Sequence, residues 1–315
     1  MRLKQHWLRG DDSDTSTVMK YLPLLLALPV ISVAREERVS APPGKVYTYK
    51  EVDGAKRELE VYFPEGHNPS AASVPAIVFF HGGGWGGGSR EAFSYQCHYF
   101  ASRGLVAVTV TYTLTSKAEA AKLDKGLSRK RICVPDAKSA IRWVKQQAKE
   151  LGVDRGRLIA AGGSAGGHIS LIATSSPGLN DPNDPEGFDT SVAARVLFNP
   201  ALSASDAADP EIDFIQHLKP GAPPAIVFFG SEDKSWLKGW WPTYQKWKAL
   251  DGTSVELEIA EGEKHAFFNF QPWADLTLIS ADLFLNKLGF LEGEPTLSFP
   301  ESGERLVPAN GGFPP

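Results

Sequence analysis

The chain has 315 residues, 42% of them hydrophobic and 22% charged, and a formal net charge of −4. That is the composition of a folded globular protein with a sizeable core. The mild charge, with no long run of one sign, speaks against nucleic acid or an anionic membrane surface as the partner.

From Met19 the chain reads MKYLPLLLALPVISVAREE. Lys20 is a short positive region, residues 21–31 are an apolar stretch, and Ser32-Val33-Ala34 resembles a cleavage site. This is the pattern of a secretory signal peptide. It is shorter than the roughly 20 apolar residues of a stable membrane span, and Pro23 and Pro29 interrupt it. Residues 1–18 are polar, so Met19 is read as the true start. We therefore expect a leader over 1–34, one domain over 35–290, and an irregular Gly- and Pro-rich tail over 291–315. Export, to a periplasm or outside the cell, puts Cys97 and Cys133 in an oxidising compartment. The two cysteines then admit one disulfide, with two buried free thiols as the alternative.

Residues 45–50 and 57–63 alternate apolar and polar side chains, as in a half-exposed antiparallel hairpin. The runs at 75–80, 105–112, 157–161, 194–198, 224–229 and 255–260 are almost continuously apolar. Such runs suit strands buried on both faces, hence a mostly parallel sheet of about eight strands with helices on both sides. Helical patterns fall at 135–151, opened by Pro135 and closed by Gly152, and at 241–252 and 274–289. Asp136 is read as a charge on a helix N-terminus, and the basic run from Lys117 to Arg131 as a solvated loop.

After the first apolar run comes HGGGWGGGSR, residues 81–90. Its Gly82, Gly84 and Gly87 fit a dinucleotide loop, but the next strand lacks the acidic residue that holds a ribose, and no P-loop pair follows. The alternative is an oxyanion loop in which Gly83 and Gly84 turn their N–H groups inward, with His81 as a brace. After residues 157–161 comes GGSAGG. Gly162 to Gly166 match G-x-S-x-G, a strand-to-helix elbow that exposes Ser164 and starts a helix at the Ala165 N–H. A serine nucleophile needs a base and an orienting carboxylate. His265 follows the strand at 255–260, and Asp233 follows the strand at 224–229, with Glu232 as its rival. The order Ser164, Asp233, His265 is the one this fold type requires. His168, one turn beyond Ser164, points back into the fold and reads as packing. Trp85 in the glycine loop and the tryptophans at 236, 240, 241 and 247 offer flat faces for a sugar ring, but helical spacing makes the last four better core residues. No cluster has metal-ligand spacing, so no metal and no cofactor are expected.

HGGGW, FASRGLVAVTVTY, DAKSAIRWV and GGSAGGH together resemble the α/β-hydrolase superfamily, in its hormone-sensitive-lipase-like and xylan-acetyl or feruloyl esterase-like group. The resemblance covers about residues 55–290. It implies the α/β-hydrolase fold and serine esterase chemistry, with Ser164 as nucleophile, Asp233 as acid, His265 as base, and Gly83, Gly84 and Ala165 as oxyanion donors. One departure is Thr113, where relatives carry an arginine after the tyrosine. Export and the resemblance together favour an acetyl ester of a polysaccharide, or a smaller ester, as substrate. A peptidase of the same fold and a non-catalytic sugar-binding relative are the alternatives, and the sequence leaves the oligomeric state open.

Overall fold

A computed structural model describes residues 41–309 of the chain. The hairpin is β1 (Lys45–Val52) and β2 (Ala55–Tyr62). Six parallel strands follow: β3 (Val74–Phe80), β4 (Val106–Val110), β5 (Val153–Gly163), β6 (Ala194–Phe198), β7 (Ala225–Gly230) and β8 (Val255–Ala260). A ninth, β9 (Leu306–Pro308), pairs antiparallel with β8. The sheet order is β1-β2-β4-β3-β5-β6-β7-β8-β9. The extra strand corrects the expectation of an irregular tail. Three residues are too few to display a period of two, so only pairing reveals them.

The helices are α1 (Ser94–Ser102), α2 (Lys117–Ala120), α3 (Arg129–Gln146), α4 (Ala148–Leu151), α5 (Ala165–Ala173), α6 (Phe214–His217), α7 (Lys234–Lys248) and α8 (Trp273–Lys287). Among the described residues no helix is long and apolar enough to cross a membrane. Ile77 and Phe79 of β3 pack on one face of the sheet with Phe100 of α1 and Phe284 of α8. Ala76, Val78 and Phe80 pack on the other with Ile141 and Val144 of α3 and Ile169 of α5. Successive side chains thus bury on opposite faces, which is why these strands read as unbroken apolar runs. Burial of each Ile, Val or Phe among them contributes roughly 1.5–3 kcal/mol.

The same geometry decides between a disulfide and two buried thiols. Cys97 lies on α1 in the first of these clusters and Cys133 on α3 in the second, with the sheet between them; both are buried free thiols. Burial raises the pKa of each thiol, so neither is a ready thiolate.

Helix α3 starts at Arg129 rather than at Pro135. The Ser128 hydroxyl caps it by accepting the Arg131 N–H at 3.2 Å, and Pro135 lies inside. Asp136 is therefore mid-helix, not a terminal charge. It is buried and accepts from Lys50 at 2.7 Å, Arg57 at 3.1 Å and the Thr113 N–H at 2.8 Å. Thr113 thus meets this carboxylate directly, and Arg57 of β2 brings a guanidinium to it. The cluster fastens the hairpin to α3. The end of the basic run is also engaged, since Lys130 and Arg131 pair with Asp206 and Asp209.

Candidate active site

Ser164 joins β5 to α5 with a left-handed backbone, φ 53° and ψ −119°. That conformation is strained for a side chain and turns the hydroxyl out of the helix. The elbow fits only because glycine flanks it: a Cβ on Gly166 would lie 1.9 Å from the Phe80 carbonyl oxygen. The backbone of Ser164 is pinned on both sides, its N–H donating to Phe198 at 2.8 Å and its carbonyl accepting from Ala201 at 3.0 Å.

His265 reaches this serine from the loop after β8. Its Nε2 is 2.8 Å from Ser164 Oγ, and its Nδ1 is 2.6 Å from Asp233 Oδ2. Asp233, the residue before α7, is almost wholly buried, whereas the imidazole is about one-third exposed. A carboxylate accepts only, so Nδ1 carries the proton and Nε2 is free to take one from the serine. Glu232 instead points outward and pairs with Lys234 at 3.3 Å.

Gly83, Gly84, Ser164, Trp236, His265 and Phe268 line one cleft of about 740 Å³. Gly83 has φ 123°, and a Cβ there would lie 2.0 Å from the Gly87 oxygen, so the loop turn demands glycine. Ala165 opens α5, where N–H groups have no intrahelical acceptor. His81 lies fully buried beneath the loop. Its ring stacks on Tyr112 with centroids 4.4 Å apart, its Nδ1 bonds the Gly82 carbonyl at 2.7 Å, and the Tyr112 hydroxyl donates to its carbonyl at 2.5 Å. Burial lowers its pKa and favours the neutral ring. It occupies the place of a brace.

The BD-FAE family model matches residues 59–196. A solved structure described as a novel thermophilic esterase from the Planctomycetes species Thermogutta terrifontis, with propionate bound, superposes with a TM-score of 0.71. It is 35% identical and the match covers 80% of this chain and 97% of that one. The chain belongs to the α/β-hydrolase superfamily, in its hormone-sensitive-lipase-like esterase group. Among curated relatives, esterase LipC of Mycobacterium tuberculosis is 30% identical over 51% of this chain and 44% of its own. Carboxylesterase NlhH of the same species is 27% identical over 63% and 68%. The chain thus matches less than half the length of LipC.

Within this hydrolase fold the aromatic residues divide differently from expectation. Trp85, expected on the substrate side, is only 7% exposed. Its φ of 60° turns it under the glycine loop, edge-on to His168 at 5.7 Å and covered by the Lys130 ammonium at 4.6 Å. Trp236, which touches Trp85 at 6.4 Å, is the tryptophan that faces the cleft, while Trp240 and Trp247 are core. His168 is packing, as read: it is fully buried, with Nε2 bonded to Ile212 at 3.0 Å. The sequence reading passed over Asn199, which bonds Asp233; an Asn-Pro pair after a strand reads simply as a turn.

Proposed function

We propose that the protein is a serine carboxylesterase that cleaves short acyl esters, acetyl above all, borne on carbohydrate. The observation that carries the reading is the unbroken chain from Asp233 through His265 to Ser164, with links of 2.6 and 2.8 Å, opening into the cleft. His265 Nε2 takes the hydroxyl proton as Ser164 Oγ bonds to the ester carbonyl carbon. The carbonyl π electrons move onto oxygen, and N–H groups of Gly83, Gly84 and Ala165 receive that charge, each worth roughly 3–4 kcal/mol. The tetrahedral centre collapses, the C–O bond to the alcohol breaks, and His265 protonates the leaving oxygen. Water then repeats the sequence on the acyl-enzyme and releases the acid. Asp233 holds the imidazole in the productive tautomer throughout.

Short acyl groups are favoured because Phe268 and the Phe93 ring beside it, 5.9 Å apart, fill the space next to the elbow. The Thermogutta terrifontis esterase carries propionate in one solved form and butyrate in another. The sugar is argued from Trp236, whose indole is among the residues that line the cleft. Export is argued from the leader pattern, which lies outside the described residues; a mature N-terminus near Arg35 would support it.

The test combines p-nitrophenyl acetate turnover, a fluorophosphonate probe and the Ser164→Ala variant. Wild type should turn over and be labelled on Ser164, and the variant should do neither while keeping its fold. Turnover by the variant would refute the scheme. Absence of labelling in wild type would favour the sugar-binding alternative, and a preference for a peptide anilide over the acetyl ester the peptidase.

A further inference from the structure

The residue that ties the three loops of this site together is one that motif reasoning does not mark. Asn199 follows β6, is completely buried, and has φ 45°, a left-handed conformation, although Pro200 comes next. A residue before proline is normally driven to extended backbone, so something must hold Asn199 in place. Its N–H donates to Phe228 on the neighbouring strand at 2.8 Å. Its side-chain amide spans the other two loops. Nδ2 donates to Asp233 Oδ2 at 3.3 Å, the oxygen that also receives His265. Oδ1 accepts the N–H of Ala266 at 3.3 Å, the residue directly after His265 and itself left-handed at φ 69°. Only one orientation of the amide satisfies both neighbours, since a carboxylate cannot donate and an N–H cannot accept. The preceding carbonyl, Phe198, fixes the N–H of Ser164.

We propose that Asn199 is a positioning residue of the triad: its amide sets the angle at which Asp233 and His265 meet, and so the aim of Nε2 at Ser164. This rests on the esterase reading above. Without the amide, Asp233 and the backbone after His265 each lose one fixing bond, and errors of about 1 Å in such geometry cost on the order of 100-fold in rate. Substrate binding in the cleft does not involve this buried amide, so the loss should fall on kcat.

The decisive variant is Asn199→Gly. Glycine adopts φ 45° freely and keeps the backbone bonds, but removes the amide. Asn199→Asp is the second: it is isosteric, keeps the acceptor for Ala266, and turns an oxygen toward Asp233. Both are compared with wild type by kcat and KM for p-nitrophenyl acetate, by labelling rate with the fluorophosphonate probe, and by thermal melting. We expect kcat and labelling rate to fall about 10- to 100-fold in Asn199→Gly with KM within about twofold, and Asn199→Asp to fall at least as far. A kcat within about twofold of wild type in either folded variant would overturn the proposal. So would a loss of kcat and KM together in step with a lost melting transition, which is a purely structural role. Inactive, unlabelled wild type would instead refute the esterase reading itself.

Discussion

Replacing His168 by Gln removes a titratable group that the fold keeps neutral. Burial lowers the pKa of this imidazole from 6.5 to about 4, with Lys130 adding to the fall and Asp206 opposing it. In the unfolded chain it titrates near its ordinary value. Between about pH 6.5 and pH 4 the unfolded state therefore binds a proton that the native state refuses, so stability rises with pH across that window and is lost as pH falls. One pH unit in the window is worth about 1.4 kcal/mol, and acidification from pH 7.5 to pH 5 costs about 2 kcal/mol through His168 alone. The assay is urea unfolding at both pH values, followed by tryptophan fluorescence, for wild type and His168→Gln. Glutamine keeps an N–H donor for Ile212 and cannot titrate. The remaining groups, His81 and the carboxylates among them, are common to both proteins and cancel in the double difference. The variant should lose about 2 kcal/mol less than wild type on acidification. Equal losses in the two proteins would refute burial of a neutral imidazole.

Asp136→Ala should destabilise by about 3 kcal/mol, the low end for a broken buried ion cluster, because Lys50 keeps Asp181 and Arg57 keeps the Thr113 hydroxyl. Calorimetry should show Tm falling by about 6–12 °C, and a fall under about 2 °C would contradict the role given to that carboxylate. Reductant should change neither the Tm nor the intact mass, because Cys97 and Cys133 lie on opposite faces of the sheet. A mass gain on reduction would show them paired after all.

The strands were legible because burial leaves a strong local signal: 194–198 coincides with β6, buried at all five positions, and 255–260 with β8, where Leu257 and Ile259 are buried between the partly exposed Glu256 and Glu258. The loops carrying Ser164, Asp233 and His265 were legible because each comes within a few residues of the end of a strand run. Helix starts were not. Pro135 advertises a first turn, but Ser128 caps the helix earlier through polar residues with no apolar period. Helix α7 begins at Lys234, seven residues before the helical pattern read from residue 241; Gly239, a poor helix former, lies in that first stretch. The exchange of Trp85 for Trp236 was hidden because a left-handed residue throws its side chain where no sequence period predicts. The fate of the cysteines depends on which face each helix takes, a property of the whole topology.

Six non-glycine residues among those described have left-handed backbone, and four of them, Trp85, Ser164, Asn199 and Ala266, follow β3, β5, β6 and β8 at the cleft end of the sheet. Such residues cost roughly 1–3 kcal/mol each and persist only where neighbours over-determine them. The neighbours here are the adjacent strands. Gly163 of β5 lies beside Phe198 of β6, and Phe198 beside Phe228 of β7. That register is what lets Ser164 donate to the Phe198 carbonyl and Asn199 to the Phe228 carbonyl, while the Asn199 side chain reaches the loop after β8. A slip of one residue between β5 and β6 would turn every β6 side chain to the opposite face and break the first of these bonds. The contacts linking Ser164, His265 and Asp233 are therefore set by the pairing of strands whose own side chains do not line the cleft.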